Sequence, residues 1–177
     1  MPSHQYKVGV IFRPLDALRG SSASVASALP TNPGNLSGAA LTHWIIVFST
    51  ASSSRLVELI EHNRKITYKV RDASHKVRAH YFGTYTGHLE DVARLAKSHP
   101  MNGRMYNEVS NNCQHWAAHL LGSLCDLAKS SSHRHFGITD KQTWTAVIHV
   151  VKNKGHGAHV PNEFVSGVMH LLQELIH

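Results

Sequence analysis

The apolar residues of this chain change their spacing once, at Gly87, and that change restricts the fold more than any other feature. Before Gly87 they come in short β-branched and aromatic runs, each closed by polar or turn-forming residues. Tyr6 to Phe12 is the first and is stopped by Pro14, and Leu41 to Thr50 is the clearest, a continuous run suited to a central strand. Arg55 to Ile60, Lys65 to Val70 and Val77 to Tyr85 follow after short polar turns, which predicts an antiparallel β meander. After Gly87 the period becomes helical. His88 to Ser98 places Leu89, Val92, Leu95 and Ala96 on one face and ends before Pro100. Cys113 to Lys129 carries a stripe of Trp116, Ala117, Leu120, Leu121, Leu124 and Leu127. Two more helices are predicted, Asp140 to Lys152 with Asp140 as its cap, and Asn162 to Ile176. Strands followed by helices define an α+β domain, the meander packed against the helices.

At 177 residues the chain has the size of one domain. Within it, residues 20–38 are rich in Ser, Ala, Asn, Pro and Gly and read as a flexible loop, an inert insertion more readily than a lid. Residues 139–177 read as a helical C-terminal part of the same domain.

The chemistry centres on Cys113. A thiol attacks as thiolate, and free cysteine, with a pKa of about 8.5, is mostly protonated at neutral pH. Ser110, Asn111 and Asn112 precede the apolar stripe as capping residues, which sets Cys113 in the first turn. Unpaired amides and the helix dipole favour an anion there. The Cys113 amide, with the side chain of Asn111 or Asn112, could also receive an oxyanion. The competing role is that of a small buried hydrophobe, the usual one for a free cysteine and almost unopposed for Cys125. The two cysteines would lie roughly 18 Å apart along a continuous helix, too far for a disulfide. Such cysteine usage fits a reducing compartment.

A cysteine nucleophile needs an imidazole to take its proton. Of 16 histidines, His43 stands out because it begins the central strand beside Trp44, where a polar side chain is out of place unless it is a core histidine. Glu58 interrupts the apolar strand Arg55 to Ile60, either as an exposed edge position or as the group that orients the base. His115 and His119 have the four-residue spacing of two zinc ligands, but no carboxylate or third ligand accompanies them, so no metal is expected. His115 is read as lining the site entrance and His119 as lying on the helix surface.

The order of His43-Trp44 on a strand, a polar residue on the next strand, and Asn112-Cys113-Gln114-His115-Trp116 opening a helix resembles the lecithin:retinol acyltransferase-like branch of the NlpC-type, circularly permuted papain fold. That branch carries a His-Trp strand, a second polar residue, usually histidine, one strand later, and an Asn-Cys-Glu-His-Phe helix start. The likeness covers about Leu41 to Leu121, with Glu58 in place of the middle histidine and Gln114 in place of glutamate. It implies a permuted papain-like domain in which His43 deprotonates Cys113 and an acyl-thioester is resolved by water or a second acceptor. Asn111, Asn112, Gln114, His115 and Trp44 are then expected on the oxyanion and substrate side. No cofactor is implied. The substrate is an acyl ester or amide, phospholipids among them. The related PPPDE isopeptidases share the order of histidine and cysteine but have a Gly-rich strand motif that is absent here, which lowers the alternative of an isopeptidase or amidase of that type without removing it.

Eighteen Lys and Arg against 11 Asp and Glu give a formal charge of +7, which favours anionic partners, including peripheral contact with an anionic membrane. The basic residues are dispersed, which argues against specific nucleic-acid binding. Met1 to Arg13 lacks the character of a signal peptide, and no apolar stretch reaches 18 residues, so a cytoplasmic location is expected. A catalytically inactive binding module of the same fold is the main alternative to an enzyme. The oligomeric state and the acyl acceptor are left open by the residues.

Overall fold

Among the described residues five strands come first, as their β-branched runs predict. They are β1 (His4–Pro14), β2 (Thr42–Ser49), β3 (Ser54–His62), β4 (Lys65–Ala73) and β5 (His80–Gly87). The helices α1 (Leu89–Lys97) and α2 (Cys113–Lys129) follow, and a short β6 (His135–Ile138) comes after them. The computed structural model describes residues 4–14, 42–107, 112–145 and 147. The predicted loop at 20–38, the rest of the helix predicted to run to Lys152 and the helix Asn162 to Ile176 lie outside these residues. Asp140 does cap a helical turn over residues 141–145, its carboxylate accepting from the amides of Gln142 at 3.0 Å and Thr143 at 3.1 Å.

The strands form one antiparallel sheet in the order β4-β3-β2-β1-β5-β6. β1 to β4 are a meander, as predicted. Between β3 and β4 the chain reverses through Asn63 and Arg64, both at positive φ (52° and 62°), the backbone twist that a two-residue hairpin turn requires. β5 departs from the meander: it leaves the edge strand β4 and pairs with β1 on the opposite side. Burial explains the path. The connection through residues 74–79 carries Val77 and Ala79 over Ile11, Ile45, Val47 and Leu56, an apolar patch on one face of the sheet. Polar contacts fix this strap. The Val77 amide donates to Ser54 Oγ at 3.0 Å, and the Tyr81 hydroxyl donates to the Val77 carbonyl at 2.6 Å while contacting Ser49 Oγ at 2.8 Å.

The opposite face carries the larger core. Val8, Val10, Phe12, Trp44, Ile46, Phe48, Val57 and Leu59 alternate with the strap-side residues along their strands and meet Trp116, Ala117, Leu120, Leu121 and Leu124 of α2. α2 runs over β2, β3 and β6. Its described bounds are those the apolar stripe predicts. β6 went unpredicted because it has four residues and contains Gly137; it exists because β5 offers it an edge. Gly83 permits that pairing, since a Cβ there would lie 2.8 Å from the Gly137 carbonyl oxygen. Among the described residues no helix is long and apolar enough to cross a membrane.

α1 is tied down by a polar cluster that the sequence pattern did not reveal. Asp91 is buried and accepts from Arg134 Nε at 2.7 Å, from the Tyr85 hydroxyl at 3.3 Å and from Arg94. Burial opposes ionisation of Asp91, but the hydrogen bond and charge of Arg134 prevail and hold its carboxyl below the usual range. The same burial and the neighbouring Asp91 push the Tyr85 phenol up to about 12.

Candidate active site

Register places four charged or titratable side chains in series on the strap side of the sheet. His43 on β2 lies opposite Arg13 on β1. Glu58 on β3 lies opposite Ile45, hence diagonal to His43, and Arg71 on β4 lies opposite Leu56, hence diagonal to Glu58. Arg13, His43, Glu58 and Arg71 thus follow one another over four adjacent strands. Such side chains are expensive on a buried surface unless paired. His43 Nε2 and Glu58 Oε2 are 2.9 Å apart, and the other carboxylate oxygen, Glu58 Oε1, is 2.9 Å from Arg71 Nη2. The second contact is an ion pair without the alignment of a hydrogen bond.

Cys113 reaches this series from the helix. It is the first residue of α2, and His43 is the second residue of β2, so a strand end meets a helix start. The His43 side chain hydrogen-bonds to both Cys113 and Glu58. Nε2 is the ring nitrogen that meets Glu58. Burial would lower the basicity of His43, but the hydrogen bonds and charges of Cys113 and Glu58 outweigh it and raise its pKa to about 9. Burial likewise opposes the charge on Glu58; its hydrogen bond with His43 and the cationic Arg71, His43 and Arg13 reverse that and keep its carboxyl below the ordinary range. The imidazole is therefore cationic at neutral pH. The ring thus makes hydrogen bonds to Cys113 on one side and to Glu58 on the other.

The other residues expected at the site have distinct placements. The Asn112 side-chain oxygen caps α2, accepting from the amides of Gln114 at 3.0 Å and His115 at 3.1 Å and contacting His115 Nδ1 at 2.8 Å. Its oxygen is thus an acceptor committed to the helix, and the amides of Gln114 and His115 are committed with it. Gln114 and His115 are buried at the start of the helix rather than lining an open entrance. Trp44 is 1% exposed and meets Phe12 edge to face at 5.2 Å in the helix-side core, so its bulk belongs to packing and not to a substrate surface. Asn111 lies outside the described residues. Glu58 is 6% exposed, which removes the reading of an exposed edge position.

Cys125, the other thiol, is pushed up to about 12 by burial and has the environment of a packing residue. His119 does not join His115 toward a shared metal. It packs against His99 at 4.5 Å between ring centroids, and His99 stacks on Trp116 at 4.8 Å. Among the described residues no group of three or more His, Cys, Asp or Glu is arranged to hold a metal ion. Arg13 and Arg71 went unnoticed in the sequence because a charge near a strand end reads as a terminator. For Arg13 the available signal was its shared parity with Ile11 on β1; Arg71 is placed opposite Leu56 only by the register of β3 and β4.

The fold and the site together define an α+β domain that holds a thiol, an imidazole and a carboxylate in series. No protein-family model matches the chain, and neither a similar characterised protein nor a similar solved structure was found.

The histidines also fix how stability responds to pH. His99 Nδ1 accepts from the Met101 amide at 3.2 Å, so its Nε2 carries the proton and donates to the Trp116 carbonyl at 3.1 Å. Burial, with His119 nearby, lowers its pKa to about 3. A depressed pKa contributes stability that is complete above the unfolded value of about 6.5 and is lost as pH falls toward 3. His43 has the opposite sign: its contribution is complete below about 6.5 and is lost as pH rises through 9. Thermal melts between pH 4 and 10 are expected to peak near pH 6.5, within about one unit, and to fall by several degrees on both sides. His43→Ala should flatten the alkaline limb, and an alkaline limb unchanged by that substitution would contradict the assignment.

Proposed function

We propose that the protein is a cysteine-dependent hydrolase or acyltransferase of the permuted papain-like kind, with Cys113 as nucleophile, His43 as its proton partner and Glu58 as the group that orients His43. The observation that carries this reading is the His43 imidazole held between Cys113 and Glu58. The Cys113 thiolate attacks the acyl carbonyl carbon, forming the C–S bond and a tetrahedral oxyanion. His43 then gives its proton to the departing alkoxide or amine as the C–O or C–N bond breaks. In the second half His43 takes a proton from water or from an acceptor hydroxyl or amine, whose oxygen or nitrogen attacks the thioester. The thiolate leaves, and His43 keeps the proton taken from the acceptor.

Esters and amides both satisfy this chemistry. The likeness to the acyltransferase branch favours lipid esters, and a charge of +7 favours anionic interfaces. Incubation with a panel of acyl donors, phospholipids and activated esters included, should yield an acyl adduct on Cys113 by intact mass spectrometry. Cys113→Ala should give none. An adduct that persists in Cys113→Ala, or its absence from the native chain across the whole panel, would overturn the enzymatic reading in favour of a binding module of the same fold.

A further inference from the structure

Glu58 has two oxygens with different duties, and only one of them faces His43. Oε2 takes the imidazole; Oε1 is held 2.9 Å from Arg71 Nη2 by the next strand. A carboxylate on a strand can turn about its last bonds, so one contact alone does not fix which way its lone pairs point. Arg71 supplies the second contact from the opposite side. The Arg71 side chain is 34% exposed while that of Glu58 is 7% exposed, so the cation spans from solvent to the buried carboxylate. We propose that Arg71 is a fourth member of the series, a positioning residue that holds Glu58 ionised and aimed at His43. Its catalytic consequence rests on the function proposed above, whereas its effect on Glu58 does not.

Among the described residues, β1 brings Arg13, β2 brings His43, and β4 brings Arg71 together with Lys69, the register partner of Glu58, while the strap over this face carries His75, Lys76 and Arg78. The charges that act on Glu58 are those of Arg71, His43 and Arg13. Cys113 of α2 stands beyond His43. Of the two arginines acting on Glu58, Arg71 holds the ion-pair contact, and its charge ranks ahead of that of Arg13. Arg13 stands two strands away on β1 and acts on Glu58 through its charge, whereas Arg71 stands on the adjacent strand in direct ion-pair contact.

The test is a carbon-13 titration of glutamate carboxyls in the intact chain, with the Glu58 signal assigned by its loss in Glu58→Gln. Arg71→Met should raise the Glu58 midpoint by about one pH unit or more, the usual effect of removing an adjacent cation. Arg71→Lys should bring it most of the way back, and Arg13→Met should move it less than Arg71→Met does. Arg71→Gln, which keeps the stem length, provides the same comparison if Arg71→Met fails to fold. An unchanged midpoint on loss of the Arg71 charge, no recovery with lysine, or a larger effect from Arg13→Met each overturns the proposal. If acyl transfer is measurable, the acid limb of kcat/KM should move upward with the Glu58 midpoint. A chain that shows the titration but forms no acyl adduct loses the enzymatic reading and retains Arg71 as the group that holds Glu58.

Discussion

His43→Ala is expected to slow the alkylation of Cys113 by iodoacetamide at pH 7 by at least about tenfold and acyl transfer by about 10²–10⁴-fold, the range for loss of a proton-transfer partner. Alkylation requires no knowledge of the substrate, and the chain carries its own control. Cys125, held near 12 by burial, should label slowly in both proteins. Without His43, Cys113 loses the cation whose hydrogen bond it shares, while its place at the helix start is kept. The comparison thus separates the imidazole from the helix dipole as the source of thiol reactivity. Glu58→Gln should fall between the native protein and His43→Ala, because an amide can still contact the ring but cannot stabilise its charge. If Glu58→Gln matches the native protein in both assays, the working unit is the Cys113–His43 pair alone. Equal, slow labelling of Cys113 and Cys125 in the native protein would remove the case for a nucleophile.

Trp44→Ala should cost about 3–5 kcal/mol of folding stability, the range for truncating a large aromatic in a core. Trp44 is almost wholly buried among Phe12 and the helix-facing residues of the sheet, and removing its indole opens a cavity next to the strand end that carries His43. Urea unfolding followed by circular dichroism measures the loss directly. Trp44→Phe, which refills most of the space, should recover the larger part of the stability and leave acyl transfer nearly intact. A Trp44→Phe protein that is stable yet has a strongly raised KM would return Trp44 to the substrate side of the site.

The strands and α2 were legible because their patterns are redundant: β2 is a run of seven consecutive buried residues, His43 to Ser49, and α2 repeats its apolar positions over four turns. The candidate trio was legible for another reason. A histidine and a glutamate within apolar strands break the expected alternation, and a capped cysteine starts a helix. Their distances were not legible, because His43 and Cys113 are seventy residues apart and only the packing of α2 across β2 and β3 brings them together. Arg71 was missed for the same cause: its diagonal relation to Glu58 depends on the register of β3 and β4, which a hairpin turn at Asn63 and Arg64 determines. The position of β5 was hidden because short turns favour neighbouring pairing, and the apolar strap over Ile45 and Leu56 competes successfully with that preference.

That placement of β5 has a consequence for how the molecule assembles. β1 is hydrogen-bonded to β2 on one side and to β5 on the other, so it splices a β2-β3-β4 half, which carries His43, Glu58 and Arg71, to a β5-β6 half. The splice closes only after a chain segment nearly eighty residues long has returned to Val8 and Lys7. Long-range closure of this kind is slow in folding and leaves the half-sheet with an open edge until it happens. The interval before β5 docks is therefore when the nascent chain is most exposed to strand pairing with its neighbours, and His43, Glu58 and Arg71 are already standing on the waiting half ahead of Cys113.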